Sequence, residues 1–183
     1  GSFKGTLRAD EETDTLICNG SEVKVIYANA PAEIYYHDYG IDEAIVVDYT
    51  GVWRDESGLS QPLACKGIKK VLLTAPGKGE LKNIVFGINS HTIEDSDRII
   101  SAASCTTNAI TPILKALMDQ YGIKRGHVEI VHSYTNDQNL IDNYHSGDRR
   151  GRSAALNMVL TETGAASAVQ KAIPELAGKL TGN

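Results

Sequence analysis

The chain has 183 residues and a formal net charge of −5, long enough for one large domain or parts of two, and it holds no basic tract that would track a nucleic-acid backbone. No apolar run is long enough to span a membrane and no signal peptide is visible, so the expectation is a cytoplasmic protein without nucleic-acid or membrane partners. Cys18, Cys65 and Cys105 are odd in number and widely separated; that pattern favours a reducing compartment and argues against both a disulfide framework and a metal site.

Residues 1–7 read as a short extended entry, followed by a solvated turn at Asp10-Glu-Glu-Thr-Asp14. Thr15-Leu-Ile-Cys18, an Asn19-Gly20 turn and Val23-Lys-Val-Ile-Tyr27 predict a β-hairpin. Cys18 in its first arm has a packing role. Pro31 to Tyr36 predicts a helical turn before Asp38-Tyr-Gly40. Three apolar runs then follow: Glu43-Ala-Ile-Val-Val-Asp48, Lys70-Val-Leu-Leu-Thr74 and Asn83-Ile-Val-Phe-Gly-Ile-Asn89. Continuous runs of this kind suit central strands buried on both faces. The stretch from Thr50 to Gly67 supplies a crossover helix between the first two. Parallel strands joined by a crossover bind ligands at their carboxyl ends, here Tyr49-Thr50-Gly51 and Thr74-Ala75-Pro76.

The most informative stretch is Ser101-Ala-Ala-Ser-Cys-Thr-Thr-Asn108. Ser104, Thr106, Thr107 and Asn108 can each offer an oxygen to the free N–H groups of a first helical turn. Ile110, Ile113, Leu114, Leu117 and Met118 recur at helical spacing, and Pro112 is tolerable only near the start, which sets the N-terminus close to Cys105. A thiol there feels the positive end of the helix dipole, which favours its thiolate. Taken alone, a free cysteine is more often a small buried residue than a catalyst.

Beyond a glycine C-cap near Gly122, Gly126 to Thr135 predicts a strand with a polar end. Asn136 to Ser153 predicts a polar loop, basic around Arg149-Arg150-Gly151-Arg152, and Ala154 to Leu160 another strand or mixed segment. Thr161-Glu-Thr-Gly164 then opens a helix over Ala165 to Leu176. No internal repeat or low-complexity tract is present.

The octet around Cys105 resembles the active-site signature of the phosphorylating glyceraldehyde-3-phosphate dehydrogenases, and nearly the whole chain can be laid along the middle of that family. The resemblance implies that Cys105 is the attacking thiolate. It assigns His132, in Val131-His-Ser-Tyr-Thr135 and 27 positions after Cys105, to holding that thiolate and moving protons. It further implies two anion sites, for the substrate's phosphate and for inorganic phosphate. Ser104 and Thr106 match positions that orient substrate or phosphate oxygens, and Thr135, Arg149, Thr163 and Gly164 match phosphate contacts. An arginine fork and a helix N-terminus both suit that role. Thr50, Gly51 and Thr74 match positions lining the nicotinamide cofactor. The implied substrates are glyceraldehyde 3-phosphate and phosphate, the implied cofactor is NAD with NADP as the alternative, and the implied assembly is a homotetramer. Tyr134-Thr-Asn-Asp-Gln138 and the later Thr-Gly favour the three-carbon substrate over an erythrose-4-phosphate dehydrogenase.

Three departures stand beside the resemblance. No Gly-x-Gly-x-x-Gly fingerprint is present, and the family places one before the segment matching residues 1–5. The chain reaches Asn183 before the second phosphate-contact arginine of the family. Asn29 replaces an arginine that borders the adenine, and Asn143-Tyr144 replaces a Leu-Pro pair tied to NAD preference. The expected architecture is α/β: the C-terminal part of a Rossmann-type parallel-sheet NAD-binding domain over residues 1–103, then the first part of an α+β catalytic domain over 104–183. The isolated chain is expected to be inactive. Two other readings stay open, a cofactor-independent thiol hydrolase using Cys105 and His132, and a non-enzymatic assembly or binding fragment.

Overall fold

The computed structural model describes residues 2–147, 149–161 and 163–183; Gly1, Asp148 of the basic loop and Glu162 of the stretch opening the last helix lie outside them. It is a mixed α/β structure with two parallel sheets and one antiparallel sheet.

The antiparallel sheet is β1 (Leu7–Asp10), β2 (Thr15–Cys18) and β3 (Ser21–Lys24). The predicted hairpin is present. Asn19 and Gly20 both take positive φ, 50° and 85°, the pair a tight type I′ hairpin turn demands. The entry and turn expected before it contribute a third strand, β1, paired with β2. Pro31–Glu33 and Tyr36–Tyr39 are single 3₁₀ turns.

The second sheet leads into the helix that begins at Cys105. Strands β4 (Ala44–Asp48), β5 (Ile68–Leu73) and β6 (Ile99–Ser101) lie in that order and are all parallel. Between β4 and β5 runs the crossover helix α1 (Glu56–Leu63), started by Asp55, whose carboxylate accepts from the Gly58 N–H at 2.9 Å. Leu59 of α1 is buried against Val71 and Leu73 of β5, with Val46, Trp53, Leu63 and Ile99 packed around. Each such side chain contributes about 1.5–3 kcal/mol of burial.

Burial on both faces of this sheet does not hold for β4. Ile45 is 60% and Val47 48% exposed, because α1 covers only the face that Val46 shares and β4 is one of the sheet's two edge strands. The third apolar run, residues 83–89, forms no strand beyond an isolated bridge. It makes a single bridge, Asn83 to Ser101, and then turns. Asn89 causes this: its Oδ1 accepts from the Val85 N–H and its Nδ2 donates to the Asn83 carbonyl. A side-chain amide thus takes backbone groups that a ladder would have used.

Helix α2 (Cys105–Tyr121) starts one residue after its cap, Ser104, and stops at Gly122, which takes φ 70°. Its apolar stripe is narrower than the spacing implies. Ile110, Leu114 and Met118 pack against Val169, Ile173, Leu176 and Leu180, whereas Ile113 and Leu117 face water. The strand expected over residues 126–135 shortens to β7 (Gly126–Val128), paired in parallel with β8 (Leu180–Gly182). The last pairing is Ile130 N–H to the Asn183 carbonyl, after which residues 131–135 run without a strand partner among the described residues. Residues 154–160 are turns and irregular chain. Helix α3 (Ala165–Ala172) stops short of the expected Leu176, because Pro174 cannot donate to the ladder and opens a 3₁₀ turn (Pro174–Leu176).

Candidate active site

The register of the parallel sheet aligns Asp48 with Leu73 and Leu73 with Ser101, so the three chains leave it at one edge. Thr50 and Gly51 follow the first strand end, Thr74 the second, and the turn into α2 the third. The Thr50 N–H and Oγ1–H both donate to Asp48 Oδ1 at 2.9 Å, and Thr74 donates to the Asp48 carbonyl through its N–H at 2.9 Å and its hydroxyl at 3.2 Å. Asp48, which sequence reasoning marked only as the polar end of a strand, is 6% exposed and ties these two exits together. Gly51 has φ 74°, and an added Cβ would meet no atom within 4 Å, so its backbone borders open space.

At the third exit the chain passes through Ala102, Ala103 and Ser104 into α2. The Ala102 N–H donates to the Leu73 carbonyl at 2.8 Å. Ser104 is extended at φ −101°, ψ 162°, and its Oγ accepts from the Thr107 N–H at 3.0 Å while lying 2.7 Å from Thr107 Oγ1. Its hydroxyl is therefore used as the helix cap. Asn108 plays a different part from the one its type suggested: its amide donates to the carbonyls of Ala102 and Ser104, both at 2.8 Å. Cap and amide together set Cys105 as the first helical residue, exposed at the surface.

The chain from β7 brings His132 to this point from the other side. Its Nε2 lies 3.5 Å from Cys105 Sγ. Its Nδ1 lies 2.5 Å from the Ser133 carbonyl, and a carbonyl only accepts, so Nδ1 carries a proton. In the neutral ring Nε2 is then a lone pair facing the thiol, ready to take its hydrogen. The hydrogen bond from His132 pulls the Cys105 thiol below its ordinary value, partial burial opposes this, and contacts with Thr106 add to it. The His132 imidazole is raised, first by the Ser133 carbonyl and then by Cys105. Both shifts favour the same state, a thiolate beside an imidazolium. Thr106 Oγ1 is at the limit of contact, 4.0 Å from Sγ.

The remaining sequence-selected residues are spread more widely. Thr135 follows His132 on the same run, with its N–H donating to Gln138 Oε1 at 2.7 Å. Arg149 is exposed at positive φ, 62°, in the basic loop, where Arg150 pairs with Asp137 and Arg152 with Asp142. Thr163 and Gly164 open α3, and Thr163 Oγ1 accepts from the Ala165 N–H at 3.2 Å. Among the described residues, the side-chain hydrogen bonds of Cys105 reach His132 and Thr106 alone. A groove of about 630 Å³ between the 79–92 loop and helices α2 and α3 includes neither Cys105 nor His132 in its lining.

A cysteine at a helix N-terminus facing a histidine has the geometry of a nucleophile and its base, an arrangement open to several enzyme classes. Comparison with known proteins narrows the field. Residues 104–183 match the family profile described as glyceraldehyde 3-phosphate dehydrogenase, C-terminal domain. The whole chain aligns at 66% identity over 183 residues with a glyceraldehyde-3-phosphate dehydrogenase-like protein of Pseudomonas aeruginosa, covering 40% of that protein.

Residues 104–183 carry the C-terminal-domain profile of the glyceraldehyde-3-phosphate dehydrogenases, and the chain is similar along its length to proteins of that name. It is also 44% identical over 185 residues to the glyceraldehyde-3-phosphate dehydrogenase of Mycobacterium leprae and 41% identical over 179 residues to that of Borreliella burgdorferi. Those alignments take in 99% and 96% of this chain but 54% and 53% of the relatives. The chain thus spans about half the length, or less, of the curated relatives it matches. The parallel sheet of β4, β5 and β6 ends at Ser101, three residues before the matched segment 104–183 begins.

Proposed function

We propose that this chain carries the nucleophile and the proton relay of a phosphorylating dehydrogenase that oxidises glyceraldehyde 3-phosphate to an acyl phosphate. The observation that carries the reading is the 3.5 Å approach of His132 Nε2 to Cys105 Sγ, with Nδ1 locked on the Ser133 carbonyl. The thiolate adds to the aldehyde carbon, and the carbonyl oxygen gains the proton that His132 Nε2 carries. As the resulting hemithioacetal is oxidised to a thioester, the same nitrogen takes that proton back. Phosphate oxygen then attacks the thioester carbon, the carbon–sulfur bond breaks, and the thiolate is regenerated for another turn.

A bound nicotinamide, NAD in preference to NADP, supplies hydride acceptance in this scheme. The residues fit its reactive end: Thr50, Gly51 and Thr74 leave the same sheet edge as the turn leading to Cys105. Asp48 holds the first two exits rigid, and Gly51 leaves the approach open. Thr106, Thr135, Arg149, Thr163 and Gly164 are the proposed anion contacts, and Ser104 serves them through the helix cap. We divide the chain between a cofactor part, 1–103, and a catalytic part, 104–183.

Phosphorolysis run backwards tests the nucleophile without cofactor. Incubation with an acyl phosphate should add one acyl group, found by peptide mass at Cys105 and absent in Cys105→Ser. Acylation spread over lysines, or none at Cys105, would refute the reading. Cofactor-independent peptide or thioester hydrolysis would move the chain to the hydrolase class.

A further inference from the structure

We propose that Ser101 is a positioning residue for Cys105: its buried hydroxyl holds the Ala103 backbone in the left-handed turn that delivers the nucleophile to His132. The inference rests on the reading of Cys105 and His132 as the reacting pair, and extends it to a side chain touching neither.

Ser101 is fully buried at the end of β6. Its hydroxyl bonds mainly to backbone, with Asn83 Oδ1 as a second acceptor within reach of its proton. It donates to the Ala75 carbonyl at 2.7 Å and accepts from the N–H of Ala103 at 3.0 Å and of Gly77 at 3.1 Å. Asn83 Oδ1, 2.9 Å away, shares the Gly77 N–H. The Ser101 backbone is fixed as well, its N–H donating to the Lys82 carbonyl and its carbonyl accepting from the Ile84 N–H. One oxygen therefore joins two loops, the 75–77 segment after Thr74 and the 102–104 turn before the nucleophile.

The turn needs such a hold. Ala103 sits at φ 58°, a conformation that a Cβ resists and glycine accepts freely. It is packed between Val85 and Ala172, so it cannot relax outward. From Ala103 the chain reaches Ser104, whose extended backbone begins α2. A change of φ at Ala103 swings the helix start, and Cys105 Sγ leaves the line to Nε2. The Ala103 N–H bond to Ser101 opposes that swing from one side, and the Asn108 amide on the Ala102 carbonyl opposes it from the other.

A role exercised through the φ of one alanine has a distinctive signature. Removing the hydroxyl should release the turn, and replacing the alanine by glycine should make the hydroxyl dispensable. The test is the pH profile of Cys105 alkylation by iodoacetamide, read by intact mass on the full chain, with circular dichroism to check the fold. Ser101→Ala should move the profile to higher pH and slow labelling near pH 7 by about fivefold, the direction of a thiol returning toward its ordinary ionisation. Ala103→Gly alone should label like the unmodified chain. The double variant should recover to within about twofold, a coupling that independent sites do not show. An unchanged S101A profile overturns the inference, as does slowing that glycine fails to rescue. An ordinary thiol profile in the unmodified chain sinks the nucleophile reading itself, and this inference with it. Should S101A not fold, amide exchange of the unmodified chain decides: slow exchange at both Ala103 and Gly77 supports the hold, and fast exchange at Ala103 overturns it.

Discussion

Replacing His132 by asparagine removes the ring that faces Cys105 while keeping a polar side chain of similar reach. The largest cause of the lowered thiol is the hydrogen bond from His132, so its loss returns Cys105 toward an ordinary thiol. The upper bound comes from ionisation alone. A thiol with the usual pKa near 8.5 is roughly 3% ionised at pH 7, so a fully formed thiolate could lose about thirtyfold in reactivity. Water screens an exposed pair, and both the helix N-terminus and the Thr106 contacts remain, so the expected loss is about tenfold. The direction with pH is fixed. The folded thiol lies below its unfolded value, so the favourable ionised state persists above the unfolded pKa and is lost as pH falls through the folded one. The imidazolium, raised by Ser133 and Cys105, contributes below its unfolded pKa and is lost as pH rises through its folded one. The thiolate side of the pair is therefore lost as pH falls and the imidazolium side as pH rises. Alkylation followed from about pH 5.5 to about pH 9.5 should give a H132N curve displaced to alkaline pH with an unchanged plateau. Superimposable curves for H132N and the unmodified chain would refute the pairing.

Two further outcomes concern stability. Ser104→Ala removes the acceptor for the Thr107 N–H and should cost about 1 kcal/mol, measurable as a lowered urea midpoint at unchanged slope. Leu176→Ala, at a fully buried position between α2 and α3, should cost about 2–5 kcal/mol. Urea unfolding checks it, and a loss under about 1 kcal/mol would mean that the α2–α3 contact is loose in solution.

What the sequence disclosed and what it concealed follow from the range of the interactions. The Asn19-Gly20 turn, the Asp55-capped crossover helix and the start of α2 are set within a few residues, and each is where its local signal puts it. The pairing of Cys105 with His132 was legible only through a motif, since the approach of the two runs depends on β7, β8 and the packing of α3. The run over residues 83–89 misled because Ile84, Val85 and Ile88 have the apolar look of a strand. The deciding group is the amide of Asn89, four residues beyond the N–H it takes. Ser101 was hidden for the opposite reason: nothing in a serine at a strand end tells that a hydroxyl will be buried, and its partners at Ala75 and Gly77 are 26 and 24 residues away. Thr50 and Thr74 were visible as strand ends, but Asp48, which meets Thr50 through its carboxylate and Thr74 through its backbone carbonyl, became evident only once β4 and β5 were aligned.

The open margin of β4 has a consequence for anyone handling the chain in solution. Ile45 and Val47 stand in water on a strand at the rim of a parallel sheet, and a bare rim of that kind is a template for a further extended segment. Apparent stability will accordingly vary with protein concentration, and dilution series belong beside every unfolding curve. A lysine or proline on that rim would uncouple the two quantities without touching the thiol.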